Sequence, residues 1–69
     1  ERSNIGAAIL KLPLKYREPI ILYYYEEMSV LQVASILQIN ENTVKTRLRR
    51  GREQLRPVLE GEWEVLRHE

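Results

Sequence analysis

The sequence predicts a small all-α domain of four to five helices containing a helix-turn-helix. Three observations carry this. Apolar residues recur at helical spacing along most of the chain, and good helix caps stand at Ser29 and Asn40. A three-residue turn, Gln38-Ile39-Asn40, separates two such segments. The one run that suits a strand, residues 20–25, has no second strand candidate to pair with, so it is read as helix.

The helix over residues 40–55 organises the rest. At about 100° per residue, Val44, Leu48, Gly51 and Leu55 fall within roughly 40° of one another and form a narrow apolar seam. Asn42, Thr46 and Arg49 point the opposite way, with Lys45 and Arg50 flanking them and Arg47 and Arg52 nearer the seam. From Lys45 to Arg56 there are six Lys or Arg against one Glu, a local charge of about +5. One buried seam with a basic, hydrogen-bonding outer face suits a reader of the DNA major groove.

In chain order, Ser3 and Asn4 are cap candidates for a first helix whose apolar positions are Ile5, Ile9 and Leu12. It ends at Leu12, because the residue before Pro13 is pushed out of the helical region. A second helix is expected over residues 14–26, with Tyr16, Ile20 and Tyr24 on one side and Ile21, Leu22 and Tyr25 extending the apolar surface. Ser29 caps a third helix, residues 30–37, in which Val33, Ala34 and Leu37 face inward. Small Ala34 permits close approach of the next helix. Ile39 plugs the corner and Asn40 caps the fourth helix, while Gln38 stands where glycine often supplies a positive φ. Pro57 is awkward inside a helix, so the fourth helix is expected to stop near Leu55 or Arg56. The domain is therefore placed at 1–56. Residues 57–69 are expected to be a tail, either disordered or a short helix using Val58, Leu59, Trp63 and Leu66 with Gly61 weakening it.

Composition bounds the function. Sixty-nine residues with 43% hydrophobic content make one small domain near the lower size for a self-sufficient core. The absence of cysteine excludes disulfides, zinc fingers and thiol nucleophiles, and suits a cytoplasmic protein. No apolar run has the length of a membrane span, so no membrane contact of its own is expected. The chain opens Glu1-Arg2-Ser3 without an initiator methionine, so it is expected to be a piece of something larger. Net charge is only +1, because Glu60, Glu62, Glu64 and Glu69 offset the basic middle. For nucleic-acid binding the local patch matters more than the total.

Catalysis is not encoded. His68 is the single histidine, at the very end, with nothing around it to form a triad or a metal site. No glycine-rich phosphate loop is present, Glu26-Glu27 read as surface charge, and no cofactor is expected. Tyr23, Tyr24 and Tyr25 point about 100° apart on a helix and cannot form one stacking platform. Trp63 fits either packing on the body or anchoring a partner.

The N-terminal half of a recognition helix enters the groove, so Lys45, Thr46, Arg49 and Arg50 are the candidates for base edges. Asn42, Thr43, Arg47 and Arg52 are better placed for phosphates. Thr43 also suits a local role at the helix start, and Arg52 an ion pair within or between helices. Glu53 lies on the outer face two turns further along.

Residues 12–56, LPLKYREPIILYYYEEMSVLQVASILQINENTVKTRLRRGREQLR, resemble the C-terminal region 4 of bacterial sigma factors, most of all the extracytoplasmic-function (ECF) group. The leucine-proline and Tyr16-Arg17-Glu18 start, Met28-Ser29, Ala34, and Thr43 to Leu48 with Arg50 and Arg52 occur in family order and spacing. The resemblance implies binding to the upstream (minus-35) element of double-stranded promoter DNA and docking on the flap of the RNA polymerase beta subunit. Family base contacts fall on Lys45, Thr46, Arg49 and Arg50, and the flap contact on an apolar surface including Ile21, Leu22 and Tyr25. Anti-sigma factors commonly cover both surfaces. Three features depart from the family: Gln32 where an acid is common, Gly51 where alanine is usual, and Pro57 with its Trp-containing tail. The region that contacts the minus-10 element and melts DNA is missing, so these residues alone are not expected to initiate transcription.

Two other readings compete. A response-regulator DNA-binding domain shares the Thr-Val-Lys recognition helix, but the arginines after Leu48 favour sigma. A module serving mainly to dock on polymerase or an anti-sigma factor is the other, motivated by the apolar second helix.

Overall fold

Proline sets the first corner. A computed structural model describes residues 4–67, with side chains described as far as Val58. Helix α1 (Ile5–Lys11) closes where Pro13 holds Leu12 in an extended conformation, φ −65° and ψ 148°. Asn4 occupies its N-cap position without a side-chain capping bond, and Ser3 lies outside the described residues. The Arg17 guanidinium donates to the Leu10 carbonyl at 2.9 Å, meeting a carbonyl at the end of α1 and tying α2 to it.

Helix α2 (Leu14–Ile20) runs directly into a π-helical segment, Ile21–Tyr25, where the Glu26 N–H donates back to the Ile21 carbonyl. The expected span of the second helix is kept, but its last turn is wider than an α-helix. Tyr16 and Ile20 are buried as their spacing predicts, whereas Tyr24 is 47% exposed. The wider turn advances each residue by a smaller angle and leaves Tyr24 short of the buried face. Glu27 then adopts a left-handed φ of 58°, which turns the chain towards α3.

Helix α3 (Val30–Leu37) begins with a capping box: Ser29 Oγ accepts from the Gln32 N–H at 3.1 Å, and Gln32 Oε1 accepts from the Ser29 N–H at 2.9 Å. Gln32 thus closes the capping box from the third position of the helix. Helix α3 ends at Gln38, left-handed at φ 58° and ψ 46°, with the Ile39 N–H bonded to the Ala34 carbonyl. Asn40 Oδ1 accepts from the Thr43 N–H at 2.8 Å and starts helix α4 (Glu41–Arg67). The four helices α1 to α4 are joined without a strand among the described residues.

Helix α4 corrects one expectation. It does not stop at Leu55 or Arg56 but passes through Pro57 to Arg67. Proline removes the N–H that would bond to the Glu53 carbonyl, yet its fixed φ near −65° is a helical value, so the backbone carries on. Leu59, Trp63 and Leu66 have side chains outside the described residues, as does His68.

The core is built from all four helices: Ile9 and Leu12 of α1 and its end, Tyr16 and Ile20 of α2, Val33 and Ala34 of α3, and Val44, Leu48 and Leu55 of α4. Every member of the α4 seam is buried, Gly51 included. No polar or charged side chain is buried among the described residues.

Gly51 marks the tightest helix contact. A Cβ there would stand 3.0 Å from Ile20 Cγ1, 3.1 Å from Ile20 Cδ1 and 3.6 Å from Tyr16 Cβ. Glycine costs a helix interior about 1 kcal/mol relative to alanine, and this close approach is what offsets it. Two opposed terms therefore meet in Gly51→Ala, whose net effect on stability should stay within about 1 kcal/mol. In an Ile20→Ala background, which removes both Cγ1 and Cδ1, Gly51→Ala should instead stabilise the chain by up to about 1 kcal/mol. Gly51→Leu should destabilise it by more than about 2 kcal/mol. Urea denaturation of the four variants against the parent checks this, and equal effects of Gly51→Ala in both backgrounds contradict it.

Candidate nucleic-acid interface

Burying the seam of α4 against α2 leaves the rest of its circumference to be shared between two flanks. On one flank, an open cleft of about 380 Å³ separates the first turns of α4 from the start of α2. Asn42, Thr43, Thr46, Arg47 and Arg50 line it from α4, Asn40 from the cap, and Lys15 and Tyr16 from α2. Three cations border this cleft and no carboxylate does. Tyr16, only 9% exposed, supplies an apolar wall. Thr43, Thr46 and Arg47 are half-buried, whereas Asn42 and Arg50 are exposed.

The eight nucleic-acid candidates therefore divide. The cleft gathers two base candidates, Thr46 and Arg50, with three phosphate candidates, Asn42, Thr43 and Arg47. Lys45 and Arg49 are exposed on α4 outside it. Arg49 lies 3.7 Å from Glu53 one turn on, both side chains more than half exposed (56% and 54%). An exposed i,i+4 pair of this kind contributes about 0.3–0.5 kcal/mol and gives way readily to a stronger anion. Thr43 donates its backbone N–H to Asn40, so its main chain serves the cap while its side chain faces the cleft.

Arg52, the remaining phosphate candidate, lies apart from the cleft. Its guanidinium donates to the Tyr24 hydroxyl at 3.0 Å, and among the described residues no carboxylate pairs with it. It borders a second cleft of about 310 Å³ on the other flank of α4, with Ile5, Ile9, Ile20, Tyr24, Tyr25 and Leu55. Seven residues beyond Lys45 and close to the seam, it faces the π-helical segment instead of the basic cleft.

That second cleft is almost wholly apolar, and it takes in one of the three partner-surface candidates. Tyr25 lines it and is 58% exposed, whereas Ile21 and Leu22 are half-buried against the core and do not line it. Tyr23 and Tyr24 meet edge to face, with ring centroids 4.9 Å apart and planes at 85°, so the tyrosines form no parallel stack. Leu10, Leu14, Leu31 and Ile36 are exposed as well, a pattern helical periodicity alone does not bring out.

Lys15 is the residue that reading along the chain passes over. Its Nζ stands 5.2 Å from the centroid of the Tyr16 ring. A single lysine in a helical first turn carries no signal of its own, and only the packing of α2 on α4 brings it to the cleft. Among the described residues no group of three or more His, Cys, Asp or Glu is placed to hold a metal ion. No helix there is long and apolar enough to cross a membrane.

Comparison with known proteins identifies the family. The family model described as "Sigma-70, region 4" matches residues 2–55. Over 60 residues, 86% of the chain, it is 53% identical to the ECF RNA polymerase sigma factor SigW of Bacillus subtilis, covering 32% of that protein. It is 39% identical over 49 residues, 71% of the chain, to the RNA polymerase sigma factor SigV of the same organism, covering 30% of it. Against the ECF RNA polymerase sigma factor SigE of Mycolicibacterium smegmatis, identity is 33% over 57 residues, 83% of the chain and 22% of that protein. The chain thus spans less than a third of the length of these relatives. With its helix-turn-helix covered by the match, the chain belongs to the sigma-70 region 4 family.

Proposed function

We propose that this chain is the promoter-recognition domain of an ECF-type sigma factor, binding the minus-35 element of duplex DNA without catalysing a reaction. The observation that carries this is the acid-free, three-cation cleft along the first turns of a capped recognition helix. Helix α4 enters the major groove by its N-terminal half. Arg50 and Thr46 read base edges from the cleft side, Arg with paired bonds to guanine, while Lys45 and Arg49 read from the exposed side. Asn42, Thr43 and Arg47 hold phosphates, helped by the N-terminal end of the helix. Arg52, bonded to Tyr24, is withdrawn from the phosphate set.

The relatives' names carry RNA polymerase, and the domain is proposed to work in the cytoplasm while tethered to that enzyme. Tethering raises effective concentration, so a domain with modest DNA affinity of its own still selects promoters. The apolar cleft bordered by Tyr25 and Leu55 suits the beta flap, and an anti-sigma factor covering either flank would block the domain.

Fluorescence anisotropy on duplexes selected from a random pool checks the base-reading assignment. Arg50→Ala should cost about 1–3 kcal/mol on the preferred duplex and relax preference at the base pair it reads. Arg47→Ala should weaken all duplexes alike, and Arg52→Ala should leave the ranking and the salt dependence of the parent. A parent chain that ranks all duplexes equally overturns the proposal. For the second surface, Tyr25→Asp should abolish pull-down of a beta-flap fragment while duplex affinity stays that of the parent. Retained flap binding in that variant places docking elsewhere. Tyr25 is the fair test, because Ile21 and Leu22 also support the core.

A further inference from the structure

Lys15 is fixed where a second helix can reach the ligand of α4. It sits in the first turn of α2, which Pro13 precedes and Pro19 stiffens. The adjacent Tyr16 is buried, with its Cβ against Gly51 of α4. The ammonium rests near the Tyr16 ring at 5.2 Å and shares the cleft with Arg47 and Arg50. None of these three cations has a carboxylate partner among the described residues, and nearby Glu53 pairs with Arg49 instead. Three unneutralised cations held around one cleft repel one another unless an anion enters it.

We infer that Lys15 is a phosphate anchor outside the helix-turn-helix, gripping the DNA backbone across the cleft from Arg47 and fixing the angle at which α4 enters the groove. The inference rests on the proposed reading of this cleft as a DNA surface. A backbone contact suits Lys15 better than a base contact. It projects from α2, beside the recognition helix, and its ammonium is a compact point charge on a flexible stem, without the planar fork that reads guanine. A contact of this kind is sequence-independent and shows itself through counterion release.

The test measures the slope of log K against log salt for the 69-residue chain on two probes. One is a mixed-sequence duplex and the other the preferred duplex from the selected pool. Lys15→Met keeps the stem against Tyr16 and removes the charge, so the slope should shrink by about 0.9 on both probes. At low salt both affinities should fall by a similar factor, roughly three- to tenfold, with base preference unchanged. Lys15→Arg should restore the parent slope. Lys11→Met removes an equal charge from an exposed site on α1 outside the cleft and should leave the slope alone. Helical circular dichroism and melting of each variant separate a binding change from a folding change.

A Lys15→Met slope equal to that of the parent, or no smaller than that of Lys11→Met, overturns the inference. If the parent still ranks duplexes and Arg50→Ala still alters that ranking, the promoter-binding proposal survives and the anchor alone falls. A parent that binds neither probe in a salt-dependent way removes both.

Discussion

The close approach of α4 to α2 at Gly51 is the constraint on which the rest of this domain depends. A side chain of any size there meets Ile20, one of the most deeply buried residues of the core. With hydrogen in its place, the α4 seam settles against Tyr16 and Ile20, and α2 is held beside the first turns of the recognition helix. The basic cleft is a consequence: without that approach, Lys15 and Tyr16 would not share a boundary with Arg47 and Arg50. Helix propensity alone would favour alanine at this position. Packing opposes it, because an added Cβ would press on Ile20.

Once the seam is buried, the two flanks of α4 differ sharply in chemistry. One borders a cleft with three cations and no acid; the other borders a cleft of isoleucine, leucine and tyrosine with a single arginine at its rim. That arginine is held by a tyrosine hydroxyl, which keeps its charge on the apolar side. Under the proposed function, a polyanion takes one side of this helix and a protein partner the other.

Much of this arrangement is legible in the order of the residues. The α4 seam follows from 3.6-residue periodicity, and Ser29 and Asn40 cap as their side-chain chemistry predicts, because these are local effects. Gln38 takes the left-handed conformation expected of its turn. The resemblance to sigma region 4, resting on the order of Tyr16-Arg17-Glu18 and the Thr43 to Leu48 stretch, agrees with the family match over residues 2–55. What the residue pattern does not disclose is tertiary. The wide turn at Ile21–Tyr25 rotates Tyr24 outward and supplies Arg52 with a neutral partner, and no spacing of residue types announces that turn. Ile21 and Leu22 are apolar enough for a partner surface, yet the core claims much of them first. Pro57 reads as a stop because its lost hydrogen bond is obvious in sequence, while the compatibility of its φ with a helix is easily underweighted. Lys15 gains its place at the cleft only through the packing of α2 on α4.

The most direct test of the two-flank arrangement is an amide NMR titration of the chain with its preferred duplex. The expected result is that the largest shift changes fall on residues 42–50 and at Lys15, with Tyr24, Tyr25, Arg52 and Leu55 unmoved. Changes concentrated around the apolar cleft, with the basic cleft silent, would contradict the assignment of DNA to the acid-free flank of α4.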